Sequence, residues 1–200
     1  MYAQIIESEI VFVSRPTWFT DTGDPVSDEY LATEGYFKVV DEVPVYDPNS
    51  HSLTQNPRSE WTIGTDTITV TYTITEIGTE DIRQRVMNAV TNRRWEIETE
   101  GLILPTGVLV KTTIEDQNRI TSVLSNAPLA GITSVGFKAA EGWIDITIED
   151  LKDVAGLIGT YVQNCFNAER VHHSAITNCT RQQLLDYDIN AGWPNNDLST

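Results

Sequence analysis

The residues best suited to chemistry in this sequence are two cysteines and a histidine at seven-residue intervals, Cys165, His172 and Cys179. Thiolate and imidazole are both zinc ligands, so the spacing suggests a metal site. On a helix, successive members lie about 10.5 Å apart along the axis, whereas zinc requires its ligands within about 2.0–2.3 Å of one ion. We therefore predict no metal site within one chain; ligands from several chains on a symmetry axis are the alternative.

The same spacing argues against a disulfide bond between Cys165 and Cys179. Fourteen residues of continuous helix separate them by about 21 Å. A disulfide needs Cα atoms within roughly 7 Å. We predict two buried free thiols.

The remaining candidates for catalysis have simpler interpretations. His51 lies among Pro, Asn and Ser, which predicts an exposed polar residue in a loop. The acidic pairs Glu115–Asp116 and Glu149–Asp150 fall at predicted helix starts, where capping and the helix dipole explain them. The sequence contains no P-loop, dinucleotide fingerprint, nucleophile elbow or calcium loop. We expect no catalytic residue, no cofactor and no enzymatic activity.

The charge of the chain restricts its partners. Its 200 residues carry a net charge of −16, and the first 75 contain only the basic residues Arg15, Lys38 and Arg58. Such a chain repels phosphate, so we expect neither nucleic-acid nor membrane binding. The sequence has no apolar run near the roughly 18 residues that span a membrane. Its start lacks signal-peptide features, which predicts a cytosolic product.

Hydrophobic periodicity predicts an α+β fold with a boundary near residue 78. The first region, 1–78, is predicted to be an antiparallel β region with long loops. Its predicted parts are a strand at 2–13, in which Glu7-Ser8-Glu9 could form a turn, a loop at 20–35, a strand at 36–40, an irregular stretch at 41–60 and a threonine-rich hairpin at 61–75. The second region, 79–200, is predicted to begin with a linking helix at 79–94. Its other parts are a strand at 95–100, hairpins at 102–111 and 135–146 (the latter turning at 139–142), and helices at 113–125 and 147–178.

The long predicted helix also carries a seam of alternating three- and four-residue steps. The seam contains Val154, Ile158, Tyr161, Cys165, Ala168, His172, Ala175 and Cys179. This pattern is typical of an amphipathic helix packed within one domain. It also fits a self-associating helix, for example in a trimer.

Residues 93–194 resemble an uncharacterised C-terminal domain of tail-fibre and other tail proteins of tailed bacteriophages. The resemblance is carried by short pieces in a fixed order. These are Arg94-Trp95-Glu96 with Glu98-Thr99 and Gly101, Thr113 with Asp116, Phe137-Lys138 with Gly142-Trp143, Val162-Gln163 with Cys165-Phe166 and Glu169, Asp188-Ile189, and Gly192-Trp193-Pro194. The family shows Thr-Asp-Arg where this chain has Thr112–Asp116.

The first region is similar to small phage tail proteins. The similarity covers Tyr36 to Asp41, Pro44 with Tyr46-Asp47-Pro48, and Glu60-Trp61-Thr62 before the threonine-rich hairpin. These resemblances imply a structural tail or baseplate component, an adaptor or fibre-associated protein. They attach no catalytic residue to any position.

We therefore expect a virion protein that binds other tail, baseplate or fibre proteins and itself. The expected contact regions are 14–35, 41–60 and 180–200. Their candidate contact residues are the aromatic side chains Trp18, Phe19, Tyr46 and Trp193, since aromatics dominate interface energetics. Two alternatives remain: a fibre-assembly chaperone absent from the finished particle, and a module that binds host glycans or receptors.

Overall fold

A computed structural model describes residues 1–139 and 142–199. The chain is α+β and divides into two compact units, Met1–Gly78 and Thr79–Thr200. Part of the predicted turn at 139–142, residues 140 and 141, lies outside the described residues.

The first unit is built on a five-stranded sheet in the order β2-β1-β3-β6-β5. Its core contains Ala3, Ile10, Trp61, Ile68 and Val70. The sheet is mixed and not wholly antiparallel as predicted, because β3 and β6 run parallel. The strands are β1 (Tyr2–Ile6), β2 (Glu9–Val13), β3 (Phe37–Val40), β5 (Thr62–Ile63) and β6 (Thr67–Thr69).

Three further predictions for the first unit are wrong. The predicted loop at 20–35 contains a helix, α1 (Asp28–Thr33), whose N-cap is Ser27. The predicted irregular stretch at 41–60 contains β4 (His51–Gln55) and a 3₁₀ turn (Arg58–Glu60). The threonine-rich strand is split in two, because its second part, β7 (Tyr72–Glu76), leaves the main sheet and pairs with β4.

The second unit begins with α2 (Thr79–Glu100), which is longer than predicted. Residues 95–100 alternate apolar and polar types, which predicts a strand, but they continue the helix. The reason is that Ile97 lies seven residues after Val90 on the same helix face, and both are buried. Gly101 then ends the helix at φ +122°, where a Cβ would lie 2.9 Å from Leu109 Cδ1.

Two hairpins and two helices follow, as the sequence predicts. They are β8 (Leu102–Ile103) with β9 (Leu109–Val110), α3 (Ile114–Ala130), β10 (Ser134–Ala139) with β11 (Gly142–Thr147), and α4 (Ile148–Thr177). Thr113 and Thr147 cap α3 and α4 by accepting from the N–H groups of Asp116 and Asp150. A short helix, α5 (Arg181–Leu185), completes the unit.

The seam of α4 is packed inside the second unit. Four of its side chains, Val154, Ile158, Tyr161 and Cys165, join the main hydrophobic core, and His172 is buried further along, while Ala175 is exposed. α2 and α3 both pack against α4. The amphipathic-helix interpretation therefore accounts for the seam.

Candidate protein-interaction surfaces

His172 fastens the C-terminal segment to α4. Its Nε2 lies 2.9 Å from the carbonyl oxygen of Ala191, and its Nδ1 lies 2.9 Å from the Tyr187 hydroxyl. A carbonyl only accepts, so Nε2 donates, and in the neutral imidazole Nδ1 then accepts from Tyr187. The Trp193 indole stacks on the imidazole with centroids 5.0 Å apart, and its Nε1 donates to Ile189 O at 2.8 Å. His172, which lies seven residues from each cysteine, thus has a packing role within the second unit.

The two cysteines are free thiols in different environments. Cys165 is fully buried in the core, and burial raises the pKa of its thiol to about 11. Cys179 lies beyond the end of α4 and is only half-buried. The prediction of a buried thiol is confirmed for Cys165 and wrong for Cys179.

Arg94 forms a buried charged contact that ties α2 to α4. Its Nη1 lies 2.5 Å from Glu98 Oε2, and its Nε lies 3.0 Å from Glu169 Oε2. Neither Arg94 Nε nor Glu98 Oε2 makes a hydrogen bond of good angle, so the attraction is chiefly between charges. Phe166 lies against the guanidinium at 4.4 Å, and Thr91 donates to Glu169 at 2.5 Å. The sequence signal for this contact was the i,i+4 spacing of Arg94 and Glu98.

His51 lies at the start of β4 and is half-buried, so its prediction as an exposed loop residue is wrong. Its Nδ1 is 2.8 Å from Ser50 Oγ, and Ser50 Oγ donates to Asp47 Oδ2 at 2.5 Å. This bond holds the pKa of the Asp47 carboxyl below its usual range. Since Ser50 gives its only proton to Asp47, His51 acts as the donor to Ser50. In an activated serine nucleophile the hydrogen bond runs the other way, with the serine hydroxyl donating to the histidine.

The four candidate contact residues have different surroundings. Trp18 packs edge-on against Tyr36, with ring centroids 5.3 Å apart, and remains 40% exposed. Phe19 is 62% exposed. Tyr46 is half-buried. Trp193 makes its main contacts with its own unit.

The expected contact regions at 14–35 and 180–200 are largely folded onto their own units. Arg15 donates to Tyr2 Oη at 3.0 Å and to Val26 O at 2.8 Å. Near the C-terminus, two backbone hydrogen bonds join the chain to β8. The Ile103 N–H donates to Asn196 O at 2.8 Å, and the Leu198 N–H donates to Ile103 O at 2.9 Å. Neither segment is a free arm.

Residues 41–47, with the sequence DEVPVYD, form an exposed stretch that we call the acidic segment. It lies outside helices and strands, and residues 42–46 make no backbone hydrogen bond to another described residue. Its ends are fixed, because Tyr72 donates to Asp41 at 2.5 Å and Asp47 accepts from Ser50. Between them, Val45 is 100% exposed.

The second unit contains a groove of about 610 Å³ between α3 and the β10–β11 hairpin, which we call the hairpin groove. Apolar side chains, among them Ile120, Val123 and Leu151, share its lining with charged ones, and Trp143 at its side is 74% exposed. Its charged lining residues are the three cations Lys111, Arg119 and Lys138 and one acid, Asp116, which accepts from the Thr113 hydroxyl. This positive cluster contrasts with the net charge of the chain, −16. Its size lies within the range of ligand-binding clefts, about 300–1,000 Å³.

The residues that the structure describes contain no group of three or more His, Cys, Asp and Glu side chains that could hold a metal. None of their helices combines the length and apolar character needed to cross a bilayer.

The model of one protein family, described as "Domain of unknown function (DUF4376)", matches residues 81–191 of the chain. This match spans α2 through α5. No curated protein and no solved structure matches the chain.

Proposed function

From the premise that the chain belongs to the DUF4376 family, whose description names no function, we propose that it is a non-enzymatic structural component of a phage tail or baseplate. Its work is to bind other tail, baseplate or fibre proteins and further copies of itself. The tail assignment is supported by the sequence resemblance over residues 93–194.

The observation that carries the binding role is the exposure of large apolar side chains on both units. Val45 and Phe19 are exposed on the first unit, and Trp143 and Leu129 on the second. Each of these side chains would gain free energy if a partner protein removed it from water. By contrast, His172, His51 and Arg94 are engaged in contacts within their own units.

Mass spectrometry of purified particles tests the tail assignment. Particles should come from a phage-producing culture whose phage genome encodes the chain, and the infected-cell lysate serves as the control. We expect the protein in the particles at a fixed ratio to known tail proteins after density-gradient purification. Abundance in the lysate with absence from the particles would overturn the structural role and favour an assembly chaperone.

A further inference from the structure

We propose that the hairpin groove of one copy binds the acidic segment of a second copy as an extended strand along the open edge of β10. The segment lies in the first unit and the groove in the second, so each copy carries both a donor and an acceptor. This self-association stands independently of the tail assignment.

The wall of the hairpin groove is the backbone edge of β10. Four consecutive residues of this strand, 135–138, line the groove. Successive strand residues point to opposite faces, so a groove lined by four in a row indicates that the strand presents its edge there. Among the described residues β10 pairs with β11 alone. An extended peptide can therefore add to the other edge through backbone hydrogen bonds.

The charges around the groove match those of the acidic segment. Lys111 and Lys138 make no hydrogen bond or ion pair with any described residue, so both are available for a carboxylate. Arg119 is engaged with Glu115 on its own helix. In the segment, Glu42 is exposed and Asp41 uses one carboxylate oxygen to accept from Tyr72. Two acids thus face two lysines.

The apolar parts also match. Ile120 and Leu151 form the floor, with Val123, Val135 and Phe137 at its sides. Val43 and Val45 of the acidic segment are exposed, and each would bury its methyl groups on this floor. Pro44 between them fixes φ near −65° and reduces the conformational entropy lost on binding.

A donor and an acceptor on different parts of one chain give a head-to-tail contact. Repetition of this contact produces a closed ring or an open filament, according to the rotation between copies.

A labelled peptide of residues 39–49 tests the contact with the full chain as receptor. We expect saturable binding by fluorescence anisotropy, weakened about tenfold when Val43 and Val45 of the peptide are replaced by Ser. We also expect weakening of about tenfold with the receptor variant K111E/K138E, whose folding is checked by its thermal melt. A peptide carrying E42K should bind K111E/K138E better than the unchanged peptide does. This charge exchange separates a direct contact from a folding defect.

The second test uses the oligomeric state of the full chain. We expect sedimentation velocity to show concentration-dependent association that V45S abolishes. The matched control V171S changes an exposed valine of α4 and should leave association unchanged. Absence of peptide binding, or equal binding of the Val→Ser peptide, would overturn the proposal. A chain that stays monomeric, or one that V45S and V171S affect equally, would also overturn it.

Discussion

The indole of Trp193 stacks on the imidazole of His172 at a centroid distance of 5.0 Å and an interplanar angle of 29°. The stack joins the C-terminal segment to α4. Because His172 also donates to the Ala191 carbonyl group, the segment is held by both packing and hydrogen bonding. The stack therefore gives Trp193 a structural role within its own unit, whether or not a partner protein binds.

Trp193→Ala should lower the free energy of unfolding by about 2 kcal/mol, since a half-buried aromatic side chain and its contacts are lost. Chemical denaturation measures the change. Trp143→Ala is the matched control, because that side chain is mainly exposed, and it should change stability by less than about 0.5 kcal/mol. Equal losses in the two variants would contradict the packing role of Trp193.

Arg94→Met should destabilise the second unit by about 3–5 kcal/mol, because it leaves the buried Glu98 and Glu169 carboxylates without their cation. Thermal unfolding followed by circular dichroism measures the loss. Arg119→Met removes an exposed pair with Glu115 and should cost no more than about 1 kcal/mol. A similar small effect at Arg94 would show that the charged contact adds little to the packing of α2 on α4.

The two thiols should differ in reactivity. Cys179, half-buried, should react with a thiol reagent such as DTNB near pH 8 in the native protein. Cys165 should react only after unfolding, because it is buried and its pKa of about 11 keeps it protonated. The C179S variant isolates the Cys165 signal. Rapid native labelling of C179S would contradict the buried environment of Cys165.

Asp28 should make the stability of the first unit depend on acid pH. The Tyr2 hydroxyl, which donates to the carboxylate at 2.6 Å, and then Lys38 and Arg15 hold its pKa below the ordinary value of 3.8. A lowered folded-state pKa gives stability that is present above the unfolded-state value and lost as pH falls through the folded-state pKa. Denaturation curves between about pH 5 and pH 2 should therefore show a loss that Asp28→Asn reduces.

Asp21→Asn is the control for that acid dependence, because Asp21 is exposed and lies outside the Tyr2–Lys38 contacts. It should leave the slope of stability against pH unchanged. If both variants give the same slope as the unaltered chain, the Asp28 contacts do not set the acid dependence.

The sequence by itself determined the features of this protein that depend on neighbouring residues. Thr113 and Thr147 each cap a helix by bonding an N–H group three residues ahead, and both helix starts are readable from sequence because that interaction is local. The α+β class follows from periodicity for the same reason. The lack of a bond between Cys165 and Cys179 likewise follows from local structure, because most of the chain between them is the last part of α4.

Only the tertiary structure decided features that depend on distant residues. Residues 95–100 alternate like a strand, yet burial of Ile97 and the contact of Arg94 with Glu169 on α4 favour the helix. β4 looks like a loop in sequence and becomes a strand because β7 pairs with it about 20 residues later. The hairpin groove is also a product of folding, since Lys111, Arg119 and Lys138 come from three separate parts of the chain. Local propensity cannot report such contacts, because their partners are fixed by packing across the fold.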